Sequence, residues 1–258
     1  MEAIFLDKKR TVDKLTLGEL KALFEKGGCP ICQMCAGSLE RFFFWFVKER
    51  YYDPSMMEEL KEAHGLCKQH TWELIEASKP YITGVMYEYL TETLEKRLSQ
   101  LLVEIRMVGG KKRGLKRWRN HQKEFEKVRQ AFTNRSCCPA CKSIEQSEKY
   151  ASDQFLAVLE EQEMKDLYLK SAGLCFHHLQ RVLSISNESE AAFLIEDEIK
   201  RSQRLNDELR EFLRKVAYEY RNEPKGAEQT SWIRAAEFFV GSRYDPLALL
   251  KRYSGAPG

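Results

Sequence analysis

Apolar residues along this chain recur at three- and four-residue spacing, which gathers them on one face of a helix. Ile82, Val85, Met86, Tyr89, Leu94, Leu98, Leu101, Leu102 and Ile105 form one long stripe, and Leu194, Ile195, Ile199, Leu205, Leu209, Phe212, Leu213 and Val216 form another. Shorter stripes run through Leu39, Phe42, Phe43, Phe46 and Val47, and through Ile144, Ala151, Phe155, Val158 and Leu159. The aromatic run Phe42–Phe46 would suit a strand locally. Its flanks Glu40, Arg41, Lys48 and Glu49 are good helix formers, so the segment is assigned to a helix. Pro30, Pro54, Pro80, Pro139, Pro224 and Pro246 fall at junctions between stripes. A further helix is expected from Ser231 to Val240, stopped by Gly241. The pattern predicts an all-α fold.

Two motifs occur twice and in the same order. Cys29-Pro30-Ile31-Cys32 returns 109 residues later as Cys138-Pro139-Ala140-Cys141. Gly65-Leu66-Cys67-Lys68-Gln69-His70 returns 108 residues later as Gly173-Leu174-Cys175-Phe176-His177-His178. Two motifs repeated at almost one offset point to a duplicated module. The expected organisation is a first helical module over 1–108, a basic linker over 109–118, a second module over 119–222, and a C-terminal helix and tail over 223–258.

The repeated residues are ligand types. Thiolates and imidazoles are what zinc prefers, usually four in a tetrahedron. Each repeat offers C-P-x-C and then C-x-x-H, separated by 34 or 33 residues. The expected sites are therefore Cys29, Cys32, Cys67 and His70 in the first module, and Cys138, Cys141, Cys175 and His178 in the second. With Cys29 at a helix N-cap, Pro30 takes the first helical position, where proline is favoured, and Cys32 lies on the same turn. Cys67 and His70 fit a second helix start in the same way. The partial positive charge there favours thiolate by about 0.3–1 kcal/mol per terminus. In the second module His177 competes with His178, and alignment of the repeats selects His178. His64 and His121 have no counterpart and are expected at the surface. Trp72 is expected to pack over the metal site.

Iron–sulfur chemistry is the rival. Cys29, Cys32 and Cys35 make a C-x-x-C-x-x-C run of ferredoxin type. The second repeat has Ile144 at the third position and an extra Cys137 instead, so Cys35 and Cys137 read as accessory. A thioredoxin-like redox pair would need a preceding strand, which the pattern lacks.

At these residues the chain resembles an uncharacterised prokaryotic family whose members carry a C-P-V-C-like motif and a later G-(F/L)-C-x-x-H-x-W motif, often twice. Gly65–Trp72 matches the second motif. The second repeat departs from it, with Gln180 in place of the tryptophan. The resemblance strengthens the expectation of metal sites and implies no activity.

Composition narrows the classes. The chain has 258 residues, 43% hydrophobic and 31% charged, enough to bury a core without disulfides. Eight cysteines in a chain without a secretory leader point to metal or redox use, with the cytoplasm as the default compartment. No apolar run is long enough to span a membrane. A net charge of +3 demands no polyanion partner, but residues 109–119 carry six basic side chains. No phosphate loop, G-x-S-x-G or H-E-x-x-H motif is present, so a non-enzymatic role is favoured and no small-molecule substrate is evident; an enzyme would need one of the metal sites to be open. The function expected is a protein with two metal ions, structural zinc, acting as an interaction module for a protein, a nucleic acid or another anionic partner. The alternative is iron–sulfur or thiol-based electron transfer.

Overall fold

Proline and short polar side chains set the helix starts. Pro30, Pro54, Pro80 and Pro139 are each the first residue of a helix, where a missing N–H costs nothing. Asp13 and Asp53 cap helices by accepting two backbone N–H groups apiece. Asn187 and Glu190 form a reciprocal capping box at the start of another.

The computed structural model describes residues 10–109, 123, 126, 130, 136–220 and 222–242. Among the described residues the chain forms ten α-helices and no strand. They are α1 (Lys14–Lys26), α2 (Pro30–Lys48), α3 (Pro54–Ala63), α4 (Lys68–Ala77), α5 (Pro80–Gly109), α6 (Pro139–Val158), α7 (Gln162–Lys170), α8 (Phe176–Leu183), α9 (Glu188–Val216) and α10 (Ser231–Val240). Short 3-10 turns lie at Arg50–Tyr52 and Ala227–Thr230. The aromatic run of α2 is helical, and the C-terminal helix ends at Gly241 with φ 90°. The order long–short–short–long is the same in α2–α5 and α6–α9. The expected linker 109–118 lies, from residue 110 on, outside the described residues, as does His121.

The chain folds into two compact units, and their boundaries cut through helices rather than following the repeats. One unit takes Met1–Ser38 and Glu145–Asp245; the other takes Leu39–Ile144 and Pro246–Gly258. The second half of α2 therefore belongs with α3–α5, while its first turns belong with α7–α10. The converse holds for α6.

In the middle unit Leu39, Phe42, Phe43 and Phe46 of α2 bury against Met56, Met57 and Leu60 of α3, Leu74 of α4, and Ile82 and Met86 of α5. Cys138 and Ala140 join the same core. In the terminal unit Phe24, Phe155 and Tyr168 pack edge-on with ring centroids 5.2–6.1 Å apart. The two long apolar stripes are buried only near their starts. Ile82 and Met86 are covered, but Leu94, Leu98, Leu102 and Ile105 are exposed; Leu194 is covered, but Ile199, Leu213 and Val216 are not. A 30-residue helix is about 45 Å long, while its ten-residue neighbours reach about 15 Å.

Candidate metal centres

Each ligand pair sits at a helix N-terminus, as the spacing predicts. Cys67 is the N-cap of α4 and Cys175 that of α8, which places His70 and His178 one turn in. The carbonyls of Cys29 and Cys138 accept the N–H groups of Gln33 and Lys142, closing the first turns of α2 and α6. Four helix N-termini thus present their ligands in pairs.

The pairs meet across the repeats, not within them. Cys29 and Cys32 converge with Cys175 and His178 in the terminal unit; Cys138 and Cys141 converge with Cys67 and His70 in the middle unit. The expected pairing of Cys29 and Cys32 with Cys67 and His70, and of Cys138 and Cys141 with Cys175 and His178, is corrected. The reason is the length of α2. His70 packs on Phe43, with ring centroids 6.2 Å apart, and Phe43 lies eleven residues beyond Cys32. At 1.5 Å per residue that carries Cys32 about 16 Å along the helix. The half of α2 that anchors the first repeat's core therefore holds its own cysteine pair away from Cys67.

Within each group the four ligand atoms lie within 4.8 Å of one another. In the terminal unit Nδ1 of His178 is 3.3 Å from the sulfurs of Cys29 and Cys32 and 3.2 Å from that of Cys175. The Cys32 and Cys175 sulfurs are 3.7 Å apart. In the middle unit Nδ1 of His70 is 3.2, 3.6 and 3.4 Å from the sulfurs of Cys67, Cys138 and Cys141, and the Cys141 and Cys67 sulfurs are 3.8 Å apart. A tetrahedral zinc with Zn–S of about 2.3 Å sets two sulfurs about 3.8 Å apart. The donor set and its spacing fit one four-coordinate ion per group.

The thiols are arranged for a cation. Burial pushes the Cys29 thiol up, and hydrogen bonding to Cys175 lifts Cys32 to about 12. Cys175, bonded by Cys29 and Cys32, is pulled down. Burial raises Cys141 to about 12 and lowers His70. Three adjacent thiols cannot all ionise alone, because each thiolate repels the next. A divalent cation removes that repulsion.

The outer nitrogens distinguish the two groups. Nε2 of His178 is 3.4 Å from Oε1 of Glu148, which also bonds Nε2 of His177 at 2.6 Å. Among the described residues Nε2 of His70 has only a longer contact, 3.9 Å, with Oε2 of Glu73, a buried oxygen that has no other partner there. A carboxylate behind a ligating histidine fixes its tautomer and orientation. Glu148→Gln is accordingly expected to weaken metal binding in the terminal unit by roughly 10–100-fold and to leave the middle unit unchanged. Competition titration against a chromogenic chelator measures both. Equal weakening of the two sites, or of neither, would contradict this role.

His178 is in the group, and His177 faces out with 68% of its side chain exposed. Cys35 is buried and Cys137 exposed, and neither belongs to a group. His64 is exposed, with Nε2 2.9 Å from Arg97. The expectation for Trp72 is corrected: it is 58% exposed. Two residues past His70 on one helix is about 200° of rotation, so the two side chains point in opposite directions. Glu148 and Glu73 were not legible in the motifs, since neither recurs at a repeat position. Glu148 lies seven residues beyond Cys141, yet serves the other cysteine pair.

No membrane-crossing helix occurs among the described residues: none is long and apolar enough. Comparison with curated proteins and with solved structures finds no match for this chain. A family model does match, over residues 13–246, and so takes in all eight convergent ligands and every described helix. The chain thus belongs to the family of unknown function DUF6062.

Proposed function

We propose that this protein is a helical interaction module built around two structural zinc ions, one held by Cys29, Cys32, Cys175 and His178, the other by Cys67, His70, Cys138 and Cys141. The observation that carries the proposal is the convergence of three thiols and one imidazole nitrogen within 4.8 Å, twice. That spacing suits a single ion. A cluster of two or four irons would put its own iron and sulfide atoms between the cysteine sulfurs and spread them further. Four protein ligands fill a tetrahedron, which favours a structural over a catalytic ion. Zinc supplies a cross-link here, and the residues supply its specificity by presenting thiolates at helix starts.

The binding role draws on the surface. Tyr52, Trp72 and Tyr81 of the middle unit are exposed, and aromatic side chains of this kind are enriched in protein contacts. The basic segment 109–119 adds a place for an anionic partner, on the strength of its sequence.

Metal analysis and thermal melts test the proposal together. The purified protein is expected to be colourless with two zinc ions per chain. Cys67→Ser is expected to retain one ion and to melt lower, by on the order of 10 °C, because metal binding contributes directly to folding free energy. A brown protein with iron and sulfide, or a variant that loses its ion yet melts at the wild-type temperature, would overturn it.

A further inference from the structure

The two groups are covered differently. In the terminal unit the chain leaves α10 through Gly241 and Ser242, and this turn lies against the Cys29–Cys32 pair. The backbone N–H of Cys29 donates to Oγ of Ser242 at 3.0 Å. Gly241 has φ 90°, and a Cβ there would stand 3.1 Å from the Cys32 sulfur. Gly28, next to the first ligand, has φ 76°, and a Cβ on it would meet Oγ of Ser242 at 2.8 Å. Glycine is thus required on both sides of the contact, for backbone conformation and for space.

The turn is held in place by its helix. Phe238 and Phe239 of α10 pack on Phe176, the first residue of the helix that Cys175 caps, with centroids 6.0 and 6.1 Å apart. Arg234 pairs with Glu208 of α9. One helix therefore touches the element carrying Cys175, and its outgoing turn touches Cys29 and Cys32. Among the described residues, no side chain from outside the two motifs hydrogen-bonds the backbone of Cys138 or Cys141, the matching pair of the middle unit.

We propose that the Gly241–Ser242 turn is a strap that retains the metal ion of the terminal unit, so that the two ions of one chain exchange at different rates. Ser242 is a positioning residue: its hydroxyl accepts the backbone N–H of Cys29 and so holds the start of the turn that carries both cysteines. The inference rests on the zinc reading above. Metal leaves such a site by stepwise loss of ligands. Fixing the Cys29–Cys32 pair opposes the first of those steps.

The test is release of zinc from the full-length, two-zinc protein into excess chelator, followed with a chromogenic zinc indicator. Two phases of equal amplitude are expected. Cys67→Ser, which leaves the terminal unit's site intact, should show the slow phase alone. Ser242→Ala should speed the slow phase roughly tenfold and leave the fast phase unchanged. Ser242→Thr, which keeps the hydroxyl, should restore it. Protein without zinc would defeat the underlying reading and the strap with it. Two bound zinc ions released at one rate, or a slow phase indifferent to Ser242→Ala, would overturn the strap while leaving the zinc sites standing.

Discussion

Replacing Cys67 and Cys141 together with serine is expected to leave one metal ion per chain, the same as replacing either alone. Cys67 and Cys141 belong to one group, with sulfurs 3.8 Å apart, although 74 residues separate them. Once one ligand is gone the site is lost, so the second substitution removes nothing more from the metal count. Their effects on stability should be strongly non-additive, as for residues sharing one network. Cys67→Ser combined with Cys32→Ser should leave no metal at all, and the two losses of stability should nearly add. Pairing within the repeats would give the opposite outcome: Cys67 with Cys32 would count as one site and Cys67 with Cys141 as two. Metal content by mass spectrometry on four variants decides between the arrangements.

A chain cut once between residues 110 and 118, through an introduced protease site, should remain a single particle with both ions. The N-terminal piece carries Cys29, Cys32, Cys67 and His70, and the C-terminal piece carries Cys138, Cys141, Cys175 and His178. Each metal group takes two ligands from each piece. Each compact unit likewise takes one portion of α2 and one of α6. Breaking the covalent link therefore leaves two metal cross-links and two buried helix segments in place. Size-exclusion chromatography of the cut protein, with metal analysis of the peak, is the measurement. Two separating pieces, each with one ion, would refute the exchanged arrangement.

What the sequence made legible was whatever depends on near neighbours. The helices at Pro30, Pro54, Pro80 and Pro139, the N-cap positions of Cys67 and Cys175, and the choice of His178 over His177 all follow from spacing within one or two turns. Partnership between the pairs does not. The thirty-odd residues between C-P-x-C and C-x-x-H suggest the shorter closure, which costs less chain entropy. The 19 residues of α2 override it, because a helix is rigid and its far half is committed to the core around Phe43 and Phe46. Trp72 failed for a related reason: its nearness to His70 in sequence is distance around a helix. Ser242 carries no motif, and only the tertiary path of the chain after α10 brings it to Cys29.

The exchanged ligand pairs also impose an order on synthesis. The middle group is complete once Cys141 has been made, whereas Cys29 waits for His178, 149 residues downstream. At about 5–20 residues per second that wait lasts on the order of ten seconds. The inner centre can close first, nested inside the span of the outer one. Until Cys138 emerges, however, Cys29, Cys32, Cys67 and His70 are the full complement of thiol and imidazole ligands within the first hundred residues apart from Cys35 and His64. A growing chain that captured zinc with that set would hold the ion in a local trap. Seating of Phe42, Phe43 and Phe46 in their own core would work against that trap, because it sets His70 against Phe43, eleven residues along α2 from Cys32.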